Sequence, residues 1–146
     1  MALPRPLTRF IAVDRENFTL DLYKRAPLTL TPKRIARYKI AVGAAGYETP
    51  RGLFVVTARA KNPEWRMPNS DWVKPEDRGK VIPGGDPANP IKARFLKLTE
   101  DGVGIHGTAA DHSIGTAASH GCIRMHVDDV IELYPLVPLY TPVYIV

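Results

Sequence analysis

The sequence predicts a mainly β protein, a β-sandwich or barrel-like sheet with one short helix near its C-terminal end. Three observations carry this expectation. Short segments with strand character recur from "RFIAVD" to "TPVYIV", several with two-residue alternation. Fourteen prolines, many in turn contexts such as "TPRG" and "IPGGDPANP", favour strands and loops over a helical bundle. A helical period stands out only once, after residue 126.

"RFIAVD" and "FTLDLY" read as the first two strands. Phe18, Leu20 and Leu22 alternate with Thr19, Asp21 and Tyr23, and residues 15–17 between the strands suit a hairpin turn. "RYKIAVG" is a third strand, after which Gly43 and Gly46 open a turn running to "YETPRG". "LFVVTARA" is a fourth, apolar enough to lie inside a sheet. Residues 61–90 show no clear period. A stretch this long in a compact domain is usually functional or disordered, and its two tryptophans favour an ordered loop framing a site. "ARFLKLT" and "GVGIHG" are strands five and six, and "TPVYIV" closes the chain as the seventh. Before that last strand, Val127, Val130, Ile131 and Tyr134 fall at i, i+3, i+4 and i+7, one face of a short helix. Asp128 and Asp129 suit the positive end of its dipole, and Pro135 limits it.

A length of 146 residues fits one domain, spanning 1–146, with a real core. The net charge of +5 is unevenly placed: residues 1–40 hold nine Lys/Arg against three Asp/Glu, and the remainder eleven against twelve. A basic face of this kind suits an anionic surface or is simply solvated. No nucleic-acid motif or aromatic platform accompanies it, so nucleic acid is not an expected partner. No window approaches a membrane span. The start "MALPRPLTRFIAV" lacks the apolar core of a secretory signal, leaving a cytoplasmic protein or a piece of an exported one.

The single cysteine sits in "AASHGCIRMH" and has no internal disulfide partner; it is either a small buried hydrophobe or a reactive thiol. A thiol needs help to act as a nucleophile at neutral pH, and a nearby histidine supplies it. His106, His112, His120 and His126 all fall within the last 41 positions, around Cys122. His120 shares a side with Cys122 if the segment is extended, and Gly121 permits close approach of a backbone or substrate. N–H groups at such a turn can face a developing oxyanion, each worth roughly a hundred- to a thousand-fold in rate. The planar fork of Arg124 suits a substrate carboxylate or, equally, a salt bridge bracing the loop. His106 ends strand six in "GIHGT", and the small polar loop "TAADHSIGTAA" can fold back to bring it to Cys122. His112 is expected in solvent, and His126 capping or packing at the helix start. Cys122 with His106, His120 and His126 has zinc-ligand types but matches no usual finger spacing, so no metal is expected.

"HGT" at 106–108 and "SIGTAASHGCIRMH" at 113–126 resemble the L,D-transpeptidase (YkuD) catalytic domain family: His-Gly-Thr/Ser, a small polar loop, then Ser/Thr-His-Gly-Cys and Arg or Asn. "YKIAVGAAGYETPRGLFVV", "NPEWRMP", "PGGDPANP" and "DVIELYPLV" resemble further family segments, so the likeness covers roughly 8–146 and is strongest over 38–146. Two departures stand out. Ile91-Lys92 follows Asn-Pro where the family often has Leu-Gly, and Val127 occupies a position that often carries a polar cap.

The resemblance implies Cys122 as nucleophile and His106 as the base that makes and keeps the thiolate, with the Gly107 carbonyl orienting the imidazole. It implies an oxyanion hole lined by His120, Gly121 and Cys122. Ser119 and Arg124 fall on the substrate side, Ser119 supporting the loop and Arg124 holding the substrate or bracing the site. The implied reaction is acyl transfer on peptidoglycan stem peptides through a thioester, with no cofactor, outside the cytoplasmic membrane, by a monomer that carbapenems acylate. Hydrolysis of the same thioester (an L,D-carboxypeptidase) and a non-catalytic wall-binding module are the alternatives.

Overall fold

The computed structural model describes residues 8–25, 31–99 and 102–146. Most of the start read for a secretory signal, residues 1–7, lies outside the described residues. The strands are β1 (Arg9–Asp14), β2 (Thr19–Lys24), β3 (Lys33–Gly43), β4 (Gly52–Lys61), β5 (Trp65–Arg66), β6 (Val81–Ile82), β7 (Lys92–Leu98), β8 (Gly104–Thr108), β9 (Ala117–Ser119), β10 (Ile123–His126) and β11 (Pro142–Ile145). The α-helix α1 (Val127–Leu133) sits between β10 and β11.

The β1–β2 turn follows from Asp14, whose Oδ1 accepts the N–H groups of Glu16 and Asn17, both at 3.0 Å. Alternation then turns Ile11 and Val13 of β1, and Leu20 and Leu22 of β2, into the core. Asp21 of β2 is also buried. It accepts two hydrogen bonds from the Arg37 fork of β3, at 2.7 and 2.8 Å. Part of the basic N-terminal charge is therefore paired, from the solvent side, with a buried carboxylate.

The main sheet runs β10-β8-β7-β4-β11-β1-β2-β3-β9, and an additional β10–β3 pairing closes it on itself. β4 lies between β7 and β11, as its apolar sequence predicts. Helix α1 packs across β7, β8 and β10 and buries Val130 and Leu133. Ile131, expected on the buried face, is 40% exposed. Val130 packs against Gly107, where a Cβ would meet it and the Lys92 carbonyl. No side chain caps α1: its N-cap residue, His126, makes no capping hydrogen bond.

Residues 61–90 are built rather than loose. β5 pairs with β6. Asn89 is fully buried: its Nδ2 donates to the carbonyls of Pro63 and Pro83 at 3.0 and 3.1 Å, and its Oδ1 accepts the Ile91 N–H at 2.9 Å. The short strands β5, β6, β9 and β10 are not apparent from periodicity, because two to four residues do not establish one.

Candidate active site

Parallel pairing of β8 with β10 sets Ile123 beside Ile105 and Arg124 beside His106. A parallel pair needs a long crossover. The segment expected to be a plain loop supplies it, through a 3₁₀ turn at Asp111–Ser113 and strand β9. Odd positions Ile105, Ile123 and Met125 point into the core. Alternation puts His106 and Arg124 on the other face, with Cys122 just before β10 next to Gly104. Gly104 is required there, since a Cβ would run into the Phe95 ring.

His106 is 5% exposed, and the Phe95 ring lies 6.5 Å from its own. Its Nδ1 is 2.7 Å from the Gly107 carbonyl oxygen. A carbonyl only accepts, so Nδ1 carries the proton and Nε2 of the neutral ring is left as the proton acceptor. Burial pulls His106 down to about 4; the Gly107 hydrogen bond opposes this and the Arg124 charge adds to it.

Cys122 is half-buried, and its thiol donates to the Gly102 carbonyl at 3.4 Å. Burial pushes the thiol up, while the Gly104 N–H and the Arg124 charge pull it down. Burial thus disfavours both charges of a thiolate–imidazolium pair between Cys122 and His106.

The turn before Cys122 is held from inside. Gly121 has φ 122°, a conformation that favours glycine. The Ser119 hydroxyl donates to the Cys122 carbonyl at 2.6 Å and accepts the Gly121 N–H at 3.2 Å. Ser119 is 2% exposed. Its hydroxyl is thus committed to the backbone of its own turn. The Gly121 N–H is likewise engaged, which removes it from the expected oxyanion donors in this arrangement. Thr49, which sequence reasoning passed over, locks the turn to β3: its hydroxyl donates to the Gly121 carbonyl at 2.8 Å and accepts the Gly43 N–H at 2.9 Å. It belongs to "YETPRG", and only its burial reveals the role.

Residues 61–90 supply one wall. The His120 ring stacks on Trp72 at 3.9 Å with planes 7° apart, and Tyr47 meets it edge-on at 4.9 Å. Trp65 stacks behind Trp72 at 6.4 Å. The Tyr47 hydroxyl donates to Asp71 at 3.0 Å. Tyr47, Trp65, Asp71 and Trp72 have no motif of their own, and the tryptophan pair was the one available signal.

Arg124 forms no ion pair within 4.0 Å among the described residues, so the bracing salt bridge is not seen; its charge bears on Cys122, His106 and His120 instead. His112 is exposed on the 3₁₀ turn. His126 gives α1 no side-chain cap; its Nδ1 lies 2.9 Å from Asp111 Oδ1. Among the described residues no three His, Cys, Asp or Glu side chains converge into a group that could hold a metal ion.

A model of the L,D-transpeptidase catalytic domain matches residues 8–145. The chain belongs to the L,D-transpeptidase (YkuD) family. It is 41% identical over 135 residues to the YkuD protein of Bacillus licheniformis, covering 92% of this chain and 64% of that one. The catalytic domain of the Enterococcus faecium L,D-transpeptidase superposes with a TM-score of 0.68 at 25% identity, covering 94% of this chain and 95% of that one. L,D-transpeptidase 3 from Mycobacterium tuberculosis, in complex with a faropenem-derived adduct, superposes with a TM-score of 0.69 at 18% identity, over 94% of this chain and 60% of that one. The chain spans less than two thirds of the length of the curated relatives it matches. Among the described residues, no helix of this L,D-transpeptidase-family chain is long and apolar enough to cross a membrane.

Proposed function

We propose that residues 1–146 act as one cysteine acyltransferase domain on peptidoglycan stem peptides, outside the cytoplasmic membrane. The observation that carries this reading is the His106 Nδ1 hydrogen bond to Gly107, which leaves Nε2 as the acceptor on the strand beside Cys122. Cys122 Sγ attacks the carbonyl before a terminal D-Ala as its proton passes to His106 Nε2. Main-chain N–H groups of His120 and Cys122 receive the oxyanion. The C–N bond breaks, D-Ala departs with the proton from His106, and a thioester remains. An amine from a second stem then attacks, returns a proton through His106 and regenerates the thiol. Water in place of the amine gives carboxypeptidase action. Because burial disfavours both charges, proton transfer accompanies attack in this reading rather than preceding it. Arg124 orients the substrate by charge.

The test is intact-mass spectrometry with a carbapenem and with a tetrapeptide stem, comparing the parent chain with Cys122→Ala. A single adduct on the parent and none on the variant is expected, as is loss of D-Ala from the stem by the parent alone. An adduct retained by Cys122→Ala removes the nucleophile assignment. Wall sedimentation that survives Cys122→Ala, with no turnover by the parent, favours a binding module instead.

A further inference from the structure

Gly107 faces α1, so His106 and Cys122 open on the other side of β8. On the helix side, β4, β7 and the end of α1 border an open depression of about 410 Å³ lined by Arg59, Lys61, Arg94, Ile131, Tyr134 and Pro135. Arg59 is anchored there: its Nη2 donates to the Tyr134 carbonyl at 2.8 Å, and its guanidinium lies 4.1 Å over the Tyr134 ring. Arg94 approaches the same ring at 5.5 Å. Lys61 and Arg94 are directly opposite across β4–β7, a like-charge pair that disfavours the sheet.

Among the described residues no carboxylate lies within 4.0 Å of any of these three cations. Glu132 of the same helix is turned to Tyr38, whose hydroxyl donates to it at 2.7 Å. Arg59 Nε is buried with no hydrogen-bond partner. An orphaned buried donor, three uncompensated cations and a depression large enough for a small molecule together describe a site lacking its anion.

We propose that this depression binds a phosphate monoester. Three cations exceed what one carboxylate balances, whereas a phosphoryl dianion offers three oxygens to one ammonium and to two guanidinium groups that each have one nitrogen on a backbone carbonyl. Ile131, 40% exposed, and Pro135 form an apolar wall for the carbon portion of the ester. The excess positive charge of the N-terminal 40 residues takes no part, since all three cations come from later positions. The site is independent of the Cys122 reading.

The test is an amide NMR titration of the full chain with butyl phosphate, with acetate as comparator, at physiological ionic strength. Saturable shifts at residues 59, 61, 94 and 134 are expected, and acetate should bind about tenfold more weakly or worse. Lys61→Gln with Arg94→Gln should weaken butyl phosphate about tenfold or more while keeping a folded spectrum; Arg59 is left intact because it ties down Tyr134. Shifts that do not saturate or that fall elsewhere overturn the site, as does undiminished affinity in a folded double variant. Acetate binding as tightly overturns the phosphoryl assignment. Should the double variant not fold, Arg94→Gln alone is read in the same way.

Discussion

The imidazole of His120 lies flat on the indole of Trp72, with ring centroids 3.9 Å apart. One ring comes from the turn that carries Cys122, the other from the segment without a period. The contact therefore couples the loop of residues 61–90 to the backbone whose N–H groups are proposed to meet the oxyanion. Stacked aromatic pairs are worth about 0.5–1.5 kcal/mol beyond their buried area. Trp72→Ala should slow carbapenem acylation by about three- to tenfold with little change in melting temperature, and Trp72→Phe should recover most of the rate. Stopped-flow acylation checks this; an unchanged rate in Trp72→Ala would show that the stack does not position the turn.

Thr49 gives a sharper structural test. Thr49→Val keeps the shape but strips the hydroxyl, leaving the Gly43 N–H and Gly121 carbonyl without the partner each has now. Two buried groups left so should cost about 2 kcal/mol or more in urea unfolding. Thr49→Ser should restore most of it. A Val variant as stable as the parent contradicts the lock.

His106 makes stability depend on pH in a defined direction. Its folded value of about 4 lies below the ordinary 6.5, so between these the unfolded chain binds more protons and stability rises with pH. The contribution is fully present above about 6.5 and falls away as pH drops toward 4, by roughly 3 kcal/mol in all. Unfolding curves at a series of pH values should show this acid limb, and His106→Gln should flatten it. A limb equally steep in the variant assigns it to other groups.

The same substitution probes chemistry. His106→Gln should slow acylation by about 10²- to 10⁴-fold, the usual worth of a positioned general base. In the parent chain the acid limb of acylation should lie near pH 4 rather than near 6.5. Normal kinetics in His106→Gln would remove it as the base.

Arg124 acts through its charge, which lowers both Cys122 and His106. In Arg124→Gln both groups should move upward. Iodoacetamide alkylation of Cys122 should then shift its midpoint to higher pH, while Arg124→Lys stays close to the parent. A midpoint unmoved by Arg124→Gln leaves the residue with no electrostatic role.

The sequence by itself determined the strands long enough to alternate, the place of α1, the clustering of histidines about Cys122 and the family. Those features live within short windows, where a side chain's periodicity or motif is set by its immediate neighbours. Tertiary structure decided the rest. Ser119 turns inward because two backbone groups of its own tight turn need its hydroxyl. Val130 packs against Gly107, twenty-odd residues earlier, while its neighbour Ile131 is left exposed. Burial pulls His106 down and pushes the Cys122 thiol up because it removes the water that would stabilise their charges. Each outcome depends on which distant atoms close around a residue, and local spacing carries no record of that.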